Sequence, residues 1–157
     1  MSAVISDCGK YRYSLSRNLA GGDGNTCLFI MLNPSTADAT VDDRTIGRCK
    51  EFAKREGSSE LVVANLYAFR ATDPSELWAC DDPVGIENDE YLSKLLKEHR
   101  SAICGWGTNA KSDRVHEFLR LLWPTGADLY CLGTTKHGAP KHPLYLRGDT
   151  PLIRYEP

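Results

Sequence analysis

Residues Cys27-Leu-Phe-Ile-Met-Leu32 form six consecutive apolar positions with no polar break, and the run ends abruptly at Asn33-Pro34. An apolar run of this length bounded by turn residues is the pattern of a strand covered on both faces, as in a parallel sheet. Proline has no N–H and cannot continue a central strand. Ligands of open α/β sheets bind beyond the carboxyl ends of strands. Asn33, followed by the rigid Pro34, is therefore the first site candidate, although Asn-Pro also serves as a plain turn signal.

The rest of the chain repeats this pattern. Residues 10–19 alternate, with Tyr11, Tyr13 and Leu15 on one face and Arg12, Ser14 and Ser16 on the other, as in a half-buried strand. Gly21-Gly-Asp-Gly24 then predicts a tight turn returning the chain antiparallel into 27–32. Ile46, Cys49, Phe52 and Ala53 are helix-spaced within 41–56, and Gly57 is placed to cap the helix. Asp42 and Asp43 sit where the helix dipole favours acids, and are read as helix-start acids before catalytic carboxylates. Leu61–Phe69 is a second apolar strand carrying Asn65. Asp82-Pro83 opens a helix expected to reach Arg100, with Ile86, Leu92, Leu95, Leu96 and His99 towards the core. Ser101–Gly107 is a short strand ending in Trp106-Gly107. Thr108 or Asn109 can cap the next helix, whose apolar face is Val115, Phe118, Leu119 and Leu122. Asp128–Leu132 is the last strand, and a long loop with His137 and His142 follows.

Strands alternating with helices give an α/β fold. The expectation is a single domain over 1–157: a three-layer α/β/α sandwich with a mainly parallel four-stranded core sheet and an antiparallel N-terminal strand.

Composition limits the function classes. The chain has 157 residues and a net charge of −2, so no global basic field marks a nucleic-acid protein. No apolar run approaches the roughly 20 residues of a membrane helix, and the N-terminus lacks signal-peptide character. The expected compartment is the cytoplasm. Six cysteines lie far apart with no C-x-x-C pair, so neither a metal site nor a disulfide framework is expected. No cofactor motif is present.

In a parallel sheet the four strand ends converge, and they deliver Asn33, Asn65, Trp106 and the His137/His142 loop. Amides suit planar heterocycles, because asparagine offers a donor and an acceptor side by side. The strand-end signals Met31-Leu-Asn33-Pro34-Ser-Thr, Val62-Val-Ala-Asn65, Ile103-Cys-Gly-Trp106-Gly107 and Lys141-His142-Pro143 resemble, in order, those of the uracil-DNA glycosylase superfamily. Leu32-Asn-Pro-Ser-Thr-Ala-Asp38, Asp43-Arg-Thr-Ile-Gly-Arg48 and His142-Pro-Leu-Tyr-Leu146 are similar to the family labelled domain of unknown function 1643, a name that carries no activity.

The glycosylase resemblance implies a reaction and roles. Asn33 would orient the attacking water, and His142 would donate a hydrogen bond to the carbonyl oxygen of the departing base. Asn65 would read the edge of the base, and Pro34 would be a substrate-binding residue beside it. Trp106, Tyr67 and Phe69 are the aromatic candidates for stacking. The segment Leu144–Arg147 would act as the wedge of base flipping. Arg147, with Lys136, Lys141, Arg44 and Arg48, would contact phosphate. The implied partner is nucleic acid or a nucleotide, and the implied reaction is hydrolysis of the N-glycosidic bond of uracil or a modified base. Three departures bear on it: no D-P-Y-H acid is present, Ser35 replaces a glycine, and Leu144 follows His142-Pro143 in place of serine. Action on free nucleosides or nucleotides, and binding without catalysis, are the alternatives.

Overall fold

A computed structural model describes residues 1–157. The chain runs β1 (Ser2–Ile5), β2 (Arg12–Asn18), β3 (Thr26–Met31), α1 (Arg44–Arg55), β4 (Glu60–Asn65), α2 (Ser75–Ala79), α3 (Asn88–His99), β5 (Ser101–Cys104), α4 (Ser112–Leu122), β6 (Asp128–Cys131) and β7 (Ile153–Arg154). The strands form one seven-stranded sheet in the order β1-β2-β4-β3-β5-β6-β7.

The sheet is mixed, not mainly parallel. β4, β3, β5 and β6 are parallel to one another, as the apolar runs require. The pairings of β1 with β2, β2 with β4 and β6 with β7 are antiparallel. Two N-terminal strands and a short C-terminal one thus extend a core that the apolar runs alone revealed. β3 holds an inner position because its residues are apolar towards both faces. Leu28 and Ile30 join a cluster with Leu92 and Leu96 of α3 and Phe118 of α4. Cys27, Phe29 and Met31 join a second cluster with Ile46, Cys49 and Phe52 of α1.

The expected hairpin between residues 10–19 and 27–32 does not form. β2 pairs with β4, Leu15 opposite Val63 and Asn18 opposite Glu60. The glycine turn carries the chain across the start of β4 to reach β3. Asp23 N–H donates to Gly57 O at 2.9 Å, and a Cβ on Gly22 would stand 2.6 Å from the Ser58 carbonyl carbon. Only glycine permits that crossing.

β2 also departs from simple alternation. Val4 pairs with Ser14 but Ile5 with Arg12, so Tyr13 is the extra residue of a bulge. Tyr13 stacks on Tyr91 of α3 with centroids 5.0 Å apart, while Leu15 packs in the α1 cluster. The bulge turns Arg12, expected on the polar face, into the interior, where it is only 2% exposed.

Helix starts were partly legible. Asp43 is the N-cap of α1, its Oδ1 accepting from Ile46 N–H at 2.9 Å, and Gly57 takes the left-handed conformation after the helix. The helix expected from Asp82 begins only at Asn88. Gly85 takes φ +90° there, and a Cβ on it would meet the Tyr11 ring at 3.0 Å and the Tyr13 ring at 3.3 Å. Ile86, expected in the core, consequently lies outside the helix and is 92% exposed. α4 starts at Ser112 without a side-chain cap, so neither Thr108 nor Asn109 is used.

Candidate functional site

The chain leaves β3 for β4 on one side, and later enters β5 on the other side of β3. The carboxyl ends of β3 and β5 thus mark the topological switch point of the parallel core, where such sheets open a crevice. A cleft of about 770 Å³ lies there, within the size range of small-molecule sites. Backbone bonds continue beyond the strands to form its walls. Leu66 N–H and Tyr67 N–H donate to Met31 O and Leu32 O, and Gly105 N–H donates to Ile30 O, each at 2.9 Å. A Cβ on Gly105 would meet Met31 Sδ at 3.0 Å and Pro143 Cδ at 3.1 Å, so glycine lets the His142 loop close over β5.

Asn33, Asn65, Trp106 and His142 all line this cleft. Their chemistry differs. Asn33 Nδ2 donates to Ala71 O at 2.7 Å and to Pro34 O at 3.0 Å, tying the loop after β3 to the segment after β4. Its Oδ1 makes no bond within the protein. Asn65 is 1% exposed, and its Nδ2 has no hydrogen-bond partner in the protein. Pro34 is buried behind the wall and accepts from Ala71 N–H at 2.9 Å.

His142 Nδ1 accepts from Leu144 N–H at 3.1 Å. That bond assigns the ring proton of the neutral tautomer to Nε2. Burial lowers the His142 pKa below the ordinary histidine value, against a smaller upward pull from the Asp43 charge. Near pH 7 the ring is a neutral donor through Nε2–H.

Three further lining residues are Asp43, read from the sequence first as a helix-start acid, Arg12, read as a polar-face strand residue, and Tyr145, from the segment compared with a wedge loop. Asp43 has one carboxylate oxygen engaged at the α1 cap, and its other carboxylate oxygen accepts no bond within the protein. Its spacing before an apolar helix identified the cap, and nothing in the spacing showed that the cap faces the cleft. Arg12 lines the floor through the β2 bulge, and burial depresses its pKa to about 10. Tyr145, within the segment compared with a wedge loop, lines the cleft and is 84% exposed.

Other candidates lie elsewhere. Tyr67 turns its hydroxyl to Lys111 N–H, from which it accepts at 3.2 Å, and its ring lies edge-on to Trp78. Phe69 packs against Tyr11. Neither lines the cleft. The Trp106 ring is held edge-on between Phe118 and Tyr155, which leaves Tyr145 as the lining aromatic free to stack on a ligand. Arg147 has an 87% exposed side chain paired with Asp149, outside the cleft. Arg44 and Lys141 do line it, whereas Arg48 is spent on Leu146 O and Lys136 is exposed elsewhere.

The family described as "Protein of unknown function (DUF1643)" matches residues 12–144. The chain belongs to this family. The DUF1643 match runs from Arg12 at the start of β2 to Leu144 after His142, and so includes the whole parallel core and every residue lining the cleft except Tyr145 and Leu146. No curated protein and no solved structure matches the chain. This DUF1643 domain contains no helix long and apolar enough to cross a membrane, and no group of three or more side chains suited to holding a metal ion.

Proposed function

We propose that the cleft binds a nucleobase and that the protein hydrolyses the base's N-glycosidic bond, on a fold of the uracil-DNA glycosylase type. The observation that carries this reading is the pairing, in one cleft, of the unpartnered Asn65 amide with a neutral imidazole whose remaining proton is on Nε2. Two fixed donors suit the carbonyl acceptors of a pyrimidine edge. Tyr145 at the rim supplies a stacking surface.

The chemistry is a displacement at the sugar. A water oxygen bonds to C1′ while the C1′–N bond breaks, and the bonding electrons leave with the base. Negative charge then gathers on the base carbonyl oxygen. His142 Nε2–H donates to that oxygen, which favours the transition state over the ground state. Asn33 Oδ1 orients the water, since its Nδ2 is already held by Ala71 O. The proton lost by the water passes to the free oxygen of Asp43 and then to solvent, from which the departing base regains one. The cap bond from Ile46 N–H holds that carboxylate in place.

The test is release of free base from uracil and modified pyrimidines, supplied in oligonucleotides and as mononucleotides. Release by the wild type that is lost in His142→Gln establishes the reading. Absence of release from every substrate by folded protein overturns it.

A further inference from the structure

Three arginines are buried in this protein: Arg12, Arg17 and Arg114. Two are fully compensated. Arg17 pairs with Asp42 at 2.7 Å and also donates to Ser2 O, Ser16 O, Asp38 O and Val41 O. Arg114 pairs with Asp89 at 2.7 Å and Glu117 at 2.9 Å, and donates through Nε to Leu66 O. Arg12 makes no ion pair. Its Nη1 donates to Ala37 O at 2.6 Å, its Nε has no partner in the protein, and it is the only one of the three that lines the cleft. Asp43 pulls against the desolvation of Arg12 from beyond ion-pair distance. A buried charge without a counter-ion is strongly unfavourable, and binding an anion relieves it.

We propose that Arg12 is the anion-binding residue of the cleft and that the ligand is a nucleoside monophosphate, its phosphate meeting the Arg12 guanidinium and a base acceptor meeting Asn65 Nδ2. This rests on the base-binding reading above and narrows it to a substrate class. The two unpartnered buried donors of the cleft, Arg12 Nε and Asn65 Nδ2, divide the recognition between an anion and a neutral acceptor. The cleft volume suits a mononucleotide. Burial of Arg12 selects a terminal monoester, because a diester within a strand would have to lead the chain both into and out of the floor. Arg44 and Lys141 also line the cleft and add positive charge near the ligand. The phosphate of a mononucleotide and the terminal phosphate of a strand share this chemistry.

Calorimetric titrations of the whole protein at low salt separate the cases. The probes are 2′-deoxyuridine 5′-monophosphate, 2′-deoxyuridine, inorganic phosphate, and a single-stranded oligonucleotide with and without a 5′-phosphate. The expected result is a preference of roughly tenfold or more for the monophosphate over the nucleoside, corresponding to one charge-assisted bidentate contact. Inorganic phosphate competes for the same site. The preference disappears in Arg12→Met and partly survives in Arg12→Lys. Equal binding of nucleotide and nucleoside, no binding of either, or a preference unchanged in Arg12→Met overturns the proposal. So does binding of the oligonucleotide alone, indifferent to its terminal phosphate. If Arg12→Met does not fold, the Arg12 Nε–H resonance of the wild type decides: it shifts with added phosphate, or the proposal fails. None of these readouts needs turnover. Phosphate-dependent binding without base release would therefore leave the Arg12 assignment standing while the glycosidase reading falls.

Discussion

The corner held by Arg17 and the cleft floor formed by Arg12 are built from the same residue type on the same strand, with opposite physical outcomes. Arg17 lies at 0% exposure with a carboxylate and four carbonyls around it, and it binds β2 to the loop that precedes α1. Arg12 lies at 2% exposure with one carbonyl and no carboxylate. The first arrangement is complete within the chain. The second leaves a buried donor without a partner, on a residue that lines the same cleft as Asn65, whose Nδ2 is equally unpartnered. A structural arginine and a binding arginine are told apart here by what is missing from their surroundings, not by burial.

Substitutions sharpen the comparison. Arg17→Met should lower stability by about 3–5 kcal/mol in urea unfolding, because the loop carbonyls lose their donor in a buried corner and Asp42 keeps only Lys50. A loss below about 1 kcal/mol would erase the distinction. Asn33→Ala should cost about 1–3 kcal/mol, since Ala71 O loses its donor, so its melting temperature falls together with any activity. An unchanged melting temperature would return Asn33 to a purely chemical role. Arg12→Met should change stability by less than about 1 kcal/mol, because the lost Ala37 bond is offset by removal of an uncompensated charge.

Asn65→Leu should leave stability unchanged or slightly raised, as it removes a buried donor that has no partner, while abolishing base release. A stability loss above about 2 kcal/mol would mean that the amide is structural. The smallest effect concerns pH. His142 has a folded pKa below its unfolded value, so the unfolded chain takes up the proton first as pH falls. The wild type should lose stability as pH drops through the ordinary histidine value towards the lower folded one. His142→Gln should lose less over the same window, and parallel melting curves would contradict the burial argument.

The parts of the fold that could be read from the sequence are those where neighbouring residues carry the information. Runs such as Cys27–Leu32 and Leu61–Asn65 announce buried parallel strands because both faces must be apolar. Asp43 and Gly57 announce the ends of α1 because capping is a local backbone requirement. The strand-end residues Asn33, Asn65, Trp106 and His142 were legible as a group because parallel strands bring their carboxyl ends to one edge. Tyr67 and Phe69 were misleading as ligand contacts. They follow β4 closely in sequence, but the chain bends after Leu66, placing Tyr67 against Trp78 and Phe69 against Tyr11.

The sequence by itself determined the alternating α/β order, the parallel core and the polar residues at its open edge, since periodicity and turn chemistry act over a few residues. The tertiary structure decided which strands flank that core, which face Arg12 takes, and which polar atoms end without partners. Those outcomes depend on long-range pairing. The choice of β4 over β3 as the neighbour of β2, and the one-residue bulge at Tyr13, follow from how the whole sheet assembles. The cleft's two unpartnered donors become visible only once every other buried group has found its partner.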